Sequence, residues 1–310
     1  MKIHMESIKI LINILKEDKI DYKKLTKFVK TKEVRGFIQH EKTFNRKTSE
    51  DTITEEIIKL KTQIDYKDKY DFYIIKNNIN IIVYRLNYIE EHQELIMEYA
   101  LKRIKTFIPQ SIKVNSNIYL YIGGIDGGFS VYGKDVFINY IKYFNEIDEL
   151  IKIISHELFH CRIIPFKNKF KVFLTRDTKK YIYEVLGKIL EEGIALLIQH
   201  GIILRKNDPI GTITKEKMEK VEEEFEVLDC VLLKLKEGNI DYLELRKIDI
   251  YSIGYYIVNF IYKYYDEEIL ESWIFKYDYN RPIKSYIYGI RKEGLSSGFS
   301  KEIENWILES

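Results

Sequence analysis

Only four prolines interrupt the 310 residues. Proline lacks a backbone N–H and clashes with the preceding turn, so a chain this poor in it can carry long helices almost anywhere. Much of the sequence has the matching periodicity. Ile8, Leu11, Ile12 and Leu15 recur at helical spacing, as do Ile53, Ile57 and Leu60. Between them GFIQHEKTFNRKTSED reads as a loop or helix end. The pattern changes at Tyr70. DFYIIKNNINIIVYRL holds two short apolar runs about Asn77 and Asn78 and predicts a hairpin. A helix over 88–107 stops at Pro109. NIYLYIGG reads as a strand ended by Gly123 and Gly124. A glycine-rich turn and a second strand near Val136–Tyr140 follow. After Asn145 the chain reads as helix nearly to its end, apart from FKNKFKVFLTRD. The expectation is an α+β fold with a small sheet: a helical N-terminal region over 1–68, a mixed lobe over 69–165, and a mainly helical lobe over 166–310.

Composition narrows the function classes. Lys+Arg is 50 and Asp+Glu is 48, a net charge of +2. That near-balance argues against a nucleic-acid partner, which calls for a basic excess. Two cysteines, Cys161 and Cys230, cannot frame a disulfide scaffold, and a reduced compartment is the simpler setting. The N-terminus lacks the compact apolar core of a signal peptide. No apolar run approaches the roughly 18 residues of a membrane span. The expectation is a cytoplasmic protein without a membrane partner.

The segment NEIDELIKIISHELFHCRIIP carries the chemistry. His156, Glu157 and His160 stand in the order H-E-x-x-H. Residues four apart on a helix share a face, so both imidazoles can aim at one metal ion, with Glu157 close enough to act on an attacking water. Asn145 offers an N-cap and Asp148 follows three residues later. Ile147, Leu150, Ile151, Ile154, Leu158 and Cys161 form an apolar stripe for the core, and Pro165 ends the helix. With 6 histidines in 310 residues, a chance match has odds on the order of 1 in 100.

A hydrolytic zinc site takes three protein ligands and leaves a fourth position open. A third histidine six residues on is absent, because position 166 is Phe166, and Ile163 stands where a metzincin has glycine. The alternative is a carboxylate from a second helix. DTKKYIYEVLGKILEEGIALLIQHG supplies Glu191 and Glu192, with Asp177 as its cap and Gly201 as its end. Glu192 shares a face with Val185, Ile189 and Leu196 and therefore points inward, where a carboxylate needs a partner or a metal. Gly193 costs about 1 kcal/mol against Ala in a helix, and it permits close approach of a neighbour.

HELFH followed on a later helix by EEGIA resembles the gluzincin group of zinc metallopeptidases. The likeness runs over roughly residues 115–275 and is nearest to uncharacterised bacterial zinc-dependent peptidases. The resemblance implies Zn²⁺ held by His156, His160 and Glu192, with Glu157 as general base in peptide-bond hydrolysis and a peptide or protein as substrate. It also implies a role for Tyr251, in Tyr251-Ser252-Ile253-Gly254, as donor to the developing oxyanion, with Tyr255 and Tyr256 as substitutes. Residues 69–310 would then form one catalytic unit. The gluzincin aminopeptidases carry a G-x-M-E-N strand whose Glu holds the substrate's amine; here the region reads GGFSVYGKDVFI, without that Glu. The strand DVFINY could be an edge for an extended peptide, entered through a turn shaped by Gly127, Gly128 and Gly133. His200 lies two turns beyond Glu192, roughly 12 Å along the axis and too far to share the ion. His40 could line a cleft, the basic stretch KNKFKVFLTRDTKK could meet acidic substrate, and Cys161 reads as packing. Two other readings stay open: a zinc hydrolase of a non-peptide amide, and a non-catalytic protein whose zinc site is structural, which a fourth ligand such as Cys161 would support.

Overall fold

The computed structural model describes residues 1–131, 133–164, 177–239, 242–265 and 267–309. The chain divides into two compact units, residues 1–102 with 114–162 and residues 103–113 with 163–310. It is an α+β protein whose sheet has four strands among the described residues.

The first unit opens with a strand, β1 (Ile3–His4), so the N-terminal region is not helical throughout. There follow α1 (Glu6–Lys16), α2 (Tyr22–Val29), α3 (Lys32–Thr43) and α4 (Glu50–Thr62). Their starts have the expected chemistry. Asp21 accepts from the amides of Lys23 and Lys24, Thr31 from that of Val34, and Ser49 and Thr52 form a reciprocal capping box. Ile8, Leu11 and Ile12 of α1 are buried, and so are Ile53, Ile57 and Leu60 of α4. Of the two readings of the segment beginning GFIQHEKT, helix end holds: its first eight residues complete α3. Its glycine has a reason, since a side chain at Gly36 would overlap the Phe137 ring.

The predicted hairpin is instead a pair of helices, α5 (Phe72–Asn77) and α6 (Ile79–Glu91). Asn78 at the joint has φ −125°, whereas the tight hairpin turn needs positive φ there. Ile82, Leu86 and Ile89 are buried with helical spacing, and the run of isoleucines hid that period. The single helix expected over 88–107 is divided at His92, where α6 ends and α7 (Gln93–Phe107) begins.

The sheet comprises β1, β2 (Asn117–Tyr121), β3 (Gly128–Val131) and β4 (Asp135–Asn139), in the order β1-β2-β4-β3. β1, β2 and β4 run parallel, and β3 is antiparallel to β4. DVFINY is therefore an interior strand, not an edge. Among the described residues the edges are β1 and β3, and β3 arises from the segment read as a turn. Side chains of Phe129 and Val131 share one face with Phe137 and Asp135, and Gly128 and Ser130 lie on the other with Ile138 and Val136. The helix α8 (Ile147–His160) packs against β3 and β4. It starts at Glu146 with no side-chain cap, one residue after the expected Asn145.

The second unit is helical: α9 (Asp177–His200), α10 (Lys215–Glu219), α11 (Val221–Lys236), α12 (Tyr242–Leu245), α13 (Ile250–Tyr265), α14 (Glu271–Lys276), α15 (Asn280–Lys292) and α16 (Lys301–Glu309). Its dominant packing joins α9 to α13. Gly193 of α9 faces Gly254 of α13. A Cβ on Gly193 would overlap the Gly254 carbonyl, and one on Gly254 would overlap that of Ile189. The two backbones touch because neither carries a side chain there. Gly201, at φ 76°, closes α9 as expected, its amide bonding to the Leu197 carbonyl at 2.8 Å. Pro165 and nearly all of FKNKFKVFLTRD lie outside the described residues, as does the Asp177 side chain. No described helix is long and apolar enough to cross a membrane.

Candidate metal centre

α8 is an amphipathic helix laid on the sheet, and its spacing puts two imidazoles on one side. His156 is buried at 6 % exposure and His160, the last residue of the helix, is half-buried. Their rings stand 5.0 Å apart at 70°, edge to face. Glu192 is half-buried on α9. One ligand atom from each of His156, His160 and Glu192 lies within 4.8 Å of the others. Two neutral imidazole nitrogens and one carboxylate oxygen make a donor set that suits zinc, with one position of a tetrahedron left over. Among the described residues no fourth His, Cys, Asp or Glu joins this group. Cys161 is buried in the core at 1 % and is not part of it, and neither is His200.

Glu157 is also buried, at 6 %. Its stem lies against the first residue of the edge strand: a Cβ on Gly128 would come within 3.1 Å of the Glu157 Cγ. Gly128 thus does more than open a hairpin, because any side chain there would push on Glu157. The signal was a Gly-Gly pair entering a strand, but nothing local named the carboxylate it faces. The loop before β3 is held from two sides. Asn139, fully buried at the end of β4, donates to the carbonyls of Gly123, Gly124 and Asp126. The Asp126 carboxylate accepts from Arg46 at 2.5 Å and meets His40 Nε2 at 3.1 Å. Burial pushes the Asp126 carboxyl up, and the bonds from His40 and Arg46 outweigh that and bring it down to about 2. His40 also stacks on Phe129 of β3 with ring centroids 3.9 Å apart. Its place is beside the edge strand, as a support for the loop.

Glu191 is not a solvated surface charge: its Oε2 accepts from the Trp273 indole at 2.7 Å. Tyr251 opens α13, where Asp249 caps the helix by accepting from the amides of Tyr251 and Ser252. The Tyr251 side chain packs on the cluster of Leu196, Ile213 and Tyr255, and Leu196 is one turn past Glu192 on α9. The substitutes are engaged elsewhere. Tyr255 donates to the Gly201 carbonyl at 2.7 Å, and Tyr256 packs edge-on against Phe225 and Tyr286.

A model of the family described as "Putative zinc dependent peptidase (DUF5700)" matches residues 25–293. The chain belongs to this family. The family's description and the His156–His160–Glu192 group agree on zinc as the cofactor. No curated protein and no solved structure matches the chain significantly.

Proposed function

We propose that the protein is a zinc-dependent peptidase of gluzincin type, in which His156, His160 and Glu192 hold the metal. The observation that carries the reading is a three-donor group with no fourth donor among the described residues. A structural site closes its tetrahedron with protein, and a hydrolytic one does not. Zinc, when bound, supplies Lewis acidity and makes water acidic enough to ionise near neutral pH. Glu157 takes the proton of the attacking water at its carboxylate and returns it to the leaving amine. Its burial keeps bulk water from competing for that proton. Tyr251 donates its hydroxyl to the oxyanion as the carbonyl becomes tetrahedral. Tyr255 commits its hydroxyl to the Gly201 carbonyl, which counts against it as a substitute for Tyr251.

The edge strand favours a peptide over other amides. β3 is at the margin of the sheet among the described residues, with Glu157 against its first residue. An extended chain pairing with that margin would pass its backbone by the general base. The deciding experiment measures zinc per chain and compares cleavage of a broad peptide library by the wild type and Glu157→Gln. One zinc per chain and a drop of 10² to 10⁴ in rate, the roughly expected range for losing a general base, support the mechanism. Equal cleavage by the two proteins overturns it.

A further inference from the structure

Two hollows with basic residues open in the first unit. One lies beside Gly124 and Ile125 and includes Arg46, whose guanidinium is committed to Glu41 and Asp126. The other, of about 440 Å³, lies between the start of α3 and the β3–β4 hairpin. Phe137 and Val131 give it apolar surface. Gly36 lets α3 settle over the Phe137 ring. Lys30 at its rim pairs with Glu50 at 2.6 Å, and Lys32 pairs with Asp135 at 2.8 Å. Arg35 is exposed at the mouth and makes no side-chain hydrogen bond or ion pair among the described residues. Gln39 stands one turn along the same helix. The hollow therefore carries one positive charge that nothing neutralises.

Its position along the edge strand gives that charge a use. Gly128, the first residue of β3, touches Glu157, and Val131, the last, lines the hollow. At about 3.3 Å per residue the hollow lies roughly 10 Å, or three residues, along β3 from the general base. Val131 faces the same side of the sheet as Phe137 and Asp135. In a peptide paired to the outer edge of β3, the side chain level with Val131 would stand at the mouth of this hollow.

We infer that the hollow is a specificity pocket for a single carboxylate, carried by the substrate about three residues from the bond to be cleaved and gripped by Arg35. This rests on the peptidase reading above. The planar guanidinium matches a carboxylate with two parallel N–H donors, and Gln39 adds an amide donor. The Phe137 and Val131 surface accepts the methylene stem. One free positive charge suits a monoanion, because Lys30 and Lys32 are already paired with Glu50 and Asp135. A glutamate side chain and a peptide's terminal carboxylate share this chemistry.

The test uses the full-length zinc-loaded protein and amidated peptides in which one position at a time is Glu or Gln. A second set ends in a free carboxylate at each position. The Glu/Gln ratio of kcat/KM is taken within one protein, so a misfolded fraction cancels. The pocket predicts one position, about three residues from the cut, where Glu is favoured by about tenfold, the scale of one charge-assisted hydrogen bond at a partly exposed site. Arg35→Gln brings the ratio near one, and Arg35→Glu reverses it in favour of Gln. A preference in the free-carboxylate set alone assigns the pocket to the chain terminus. A ratio near one at every position in both sets, or a preference that survives Arg35→Glu, overturns the pocket. If Glu157→Gln leaves cleavage unchanged, or no peptide is cut, the peptidase mechanism falls and the pocket is judged by fluorescence anisotropy of the same peptides. Equal affinity for the Glu and Gln peptides then overturns it, and tighter Glu binding that Arg35→Glu abolishes sustains it.

Discussion

α8 and α9 both carry candidate zinc ligands, and they are built on different physics. α8 is a 14-residue helix on a sheet, and its two histidines are neighbours by helical geometry alone. α9 runs for 24 residues in a helical unit, and its place depends on a glycine contact with α13, 61 positions along the chain from Gly193 to Gly254. A ligand pair from one helix needs only that the helix form. A carboxylate from another element needs the tertiary fold to deliver it.

That contrast is broken most directly by removing one ligand of each kind. His160→Ala and Glu192→Gln should each reduce zinc well below one per chain. Each should cut peptide hydrolysis on the order of a thousandfold, since the metal's Lewis acidity contributes several kcal/mol to the barrier. Metal analysis by mass spectrometry and kcat/KM on one good substrate read both. If Glu192→Gln keeps its zinc and its activity while His160→Ala loses them, the helix α9 is not a ligand-bearing element.

The same contrast governs what could be read from residues alone. His156, Glu157 and His160 were legible because a four-residue spacing is local information. Glu192 was legible as an inward carboxylate beside a helix glycine, but the partner of that glycine was not. Gly193 meets α13, and the Gly254 it meets is the glycine of the Tyr251 segment. Trp273, which holds Glu191 from 82 residues away, had no local signal at all. The fold class was readable from few prolines and two kinds of period. The errors fell where isoleucine runs fit either period, at α5 and α6, and where glycines looked like a turn but made the edge strand β3. An edge strand is defined by what fails to pair with it, which no stretch of sequence states.

Two glycine substitutions sharpen the comparison with a smaller effect. Gly254→Ala would drive a Cβ into the Ile189 carbonyl, and backbone cannot step aside cheaply. The expected loss is about 3 kcal/mol of stability or more. At Gly128 the added Cβ would meet the Ile138 Cδ1 and Phe137 carbonyl at 3.0 Å and the Glu157 Cγ at 3.1 Å. Small shifts relieve these contacts, so Gly128→Ala should cost about 1 kcal/mol or less. Yet the shift falls on the general base, and misplacing a reacting group by a fraction of an ångström to 1 Å costs roughly ten- to a hundredfold in rate. Urea unfolding and kcat/KM on both variants separate the cases. A Gly128→Ala protein as destabilised as Gly254→Ala, or one with full activity, would remove Gly128 from the support of Glu157.

Acid stability gives the smallest and most graded contrast, between the loop that precedes β3 and the loop that follows α9. Each is organised by one carboxylate. Asp126 is held by Arg46 and His40. Asp208 accepts from the Gln199 amide at 2.7 Å and the Ile210 amide at 2.9 Å, with His200 3.6 Å away. At both sites burial raises the carboxyl and the partners pull it below its ordinary value, at Asp126 to about 2. A folded pKa below the unfolded value of about 3.9 means stability that is fully present above pH 4 and lost as pH falls through the folded pKa. For Asp126 the window runs from about pH 4 to about pH 2. The displacement of nearly two units would correspond to roughly 2.6 kcal/mol, and partial exposure of the carboxylate lowers that to about 1–2 kcal/mol. Asp126→Asn should therefore cost about 1–2 kcal/mol at pH 7 and flatten the fall in stability below pH 4, leaving a remaining slope to which Asp208 contributes. Asp208→Asn should remove that contribution in turn. Denaturant unfolding at half-unit steps from pH 7 to pH 2 measures both. If Asp126→Asn loses the same stability at every pH, the charge of Asp126 is not what holds the loop before β3, and the stack of His40 on Phe129 is left to hold it instead.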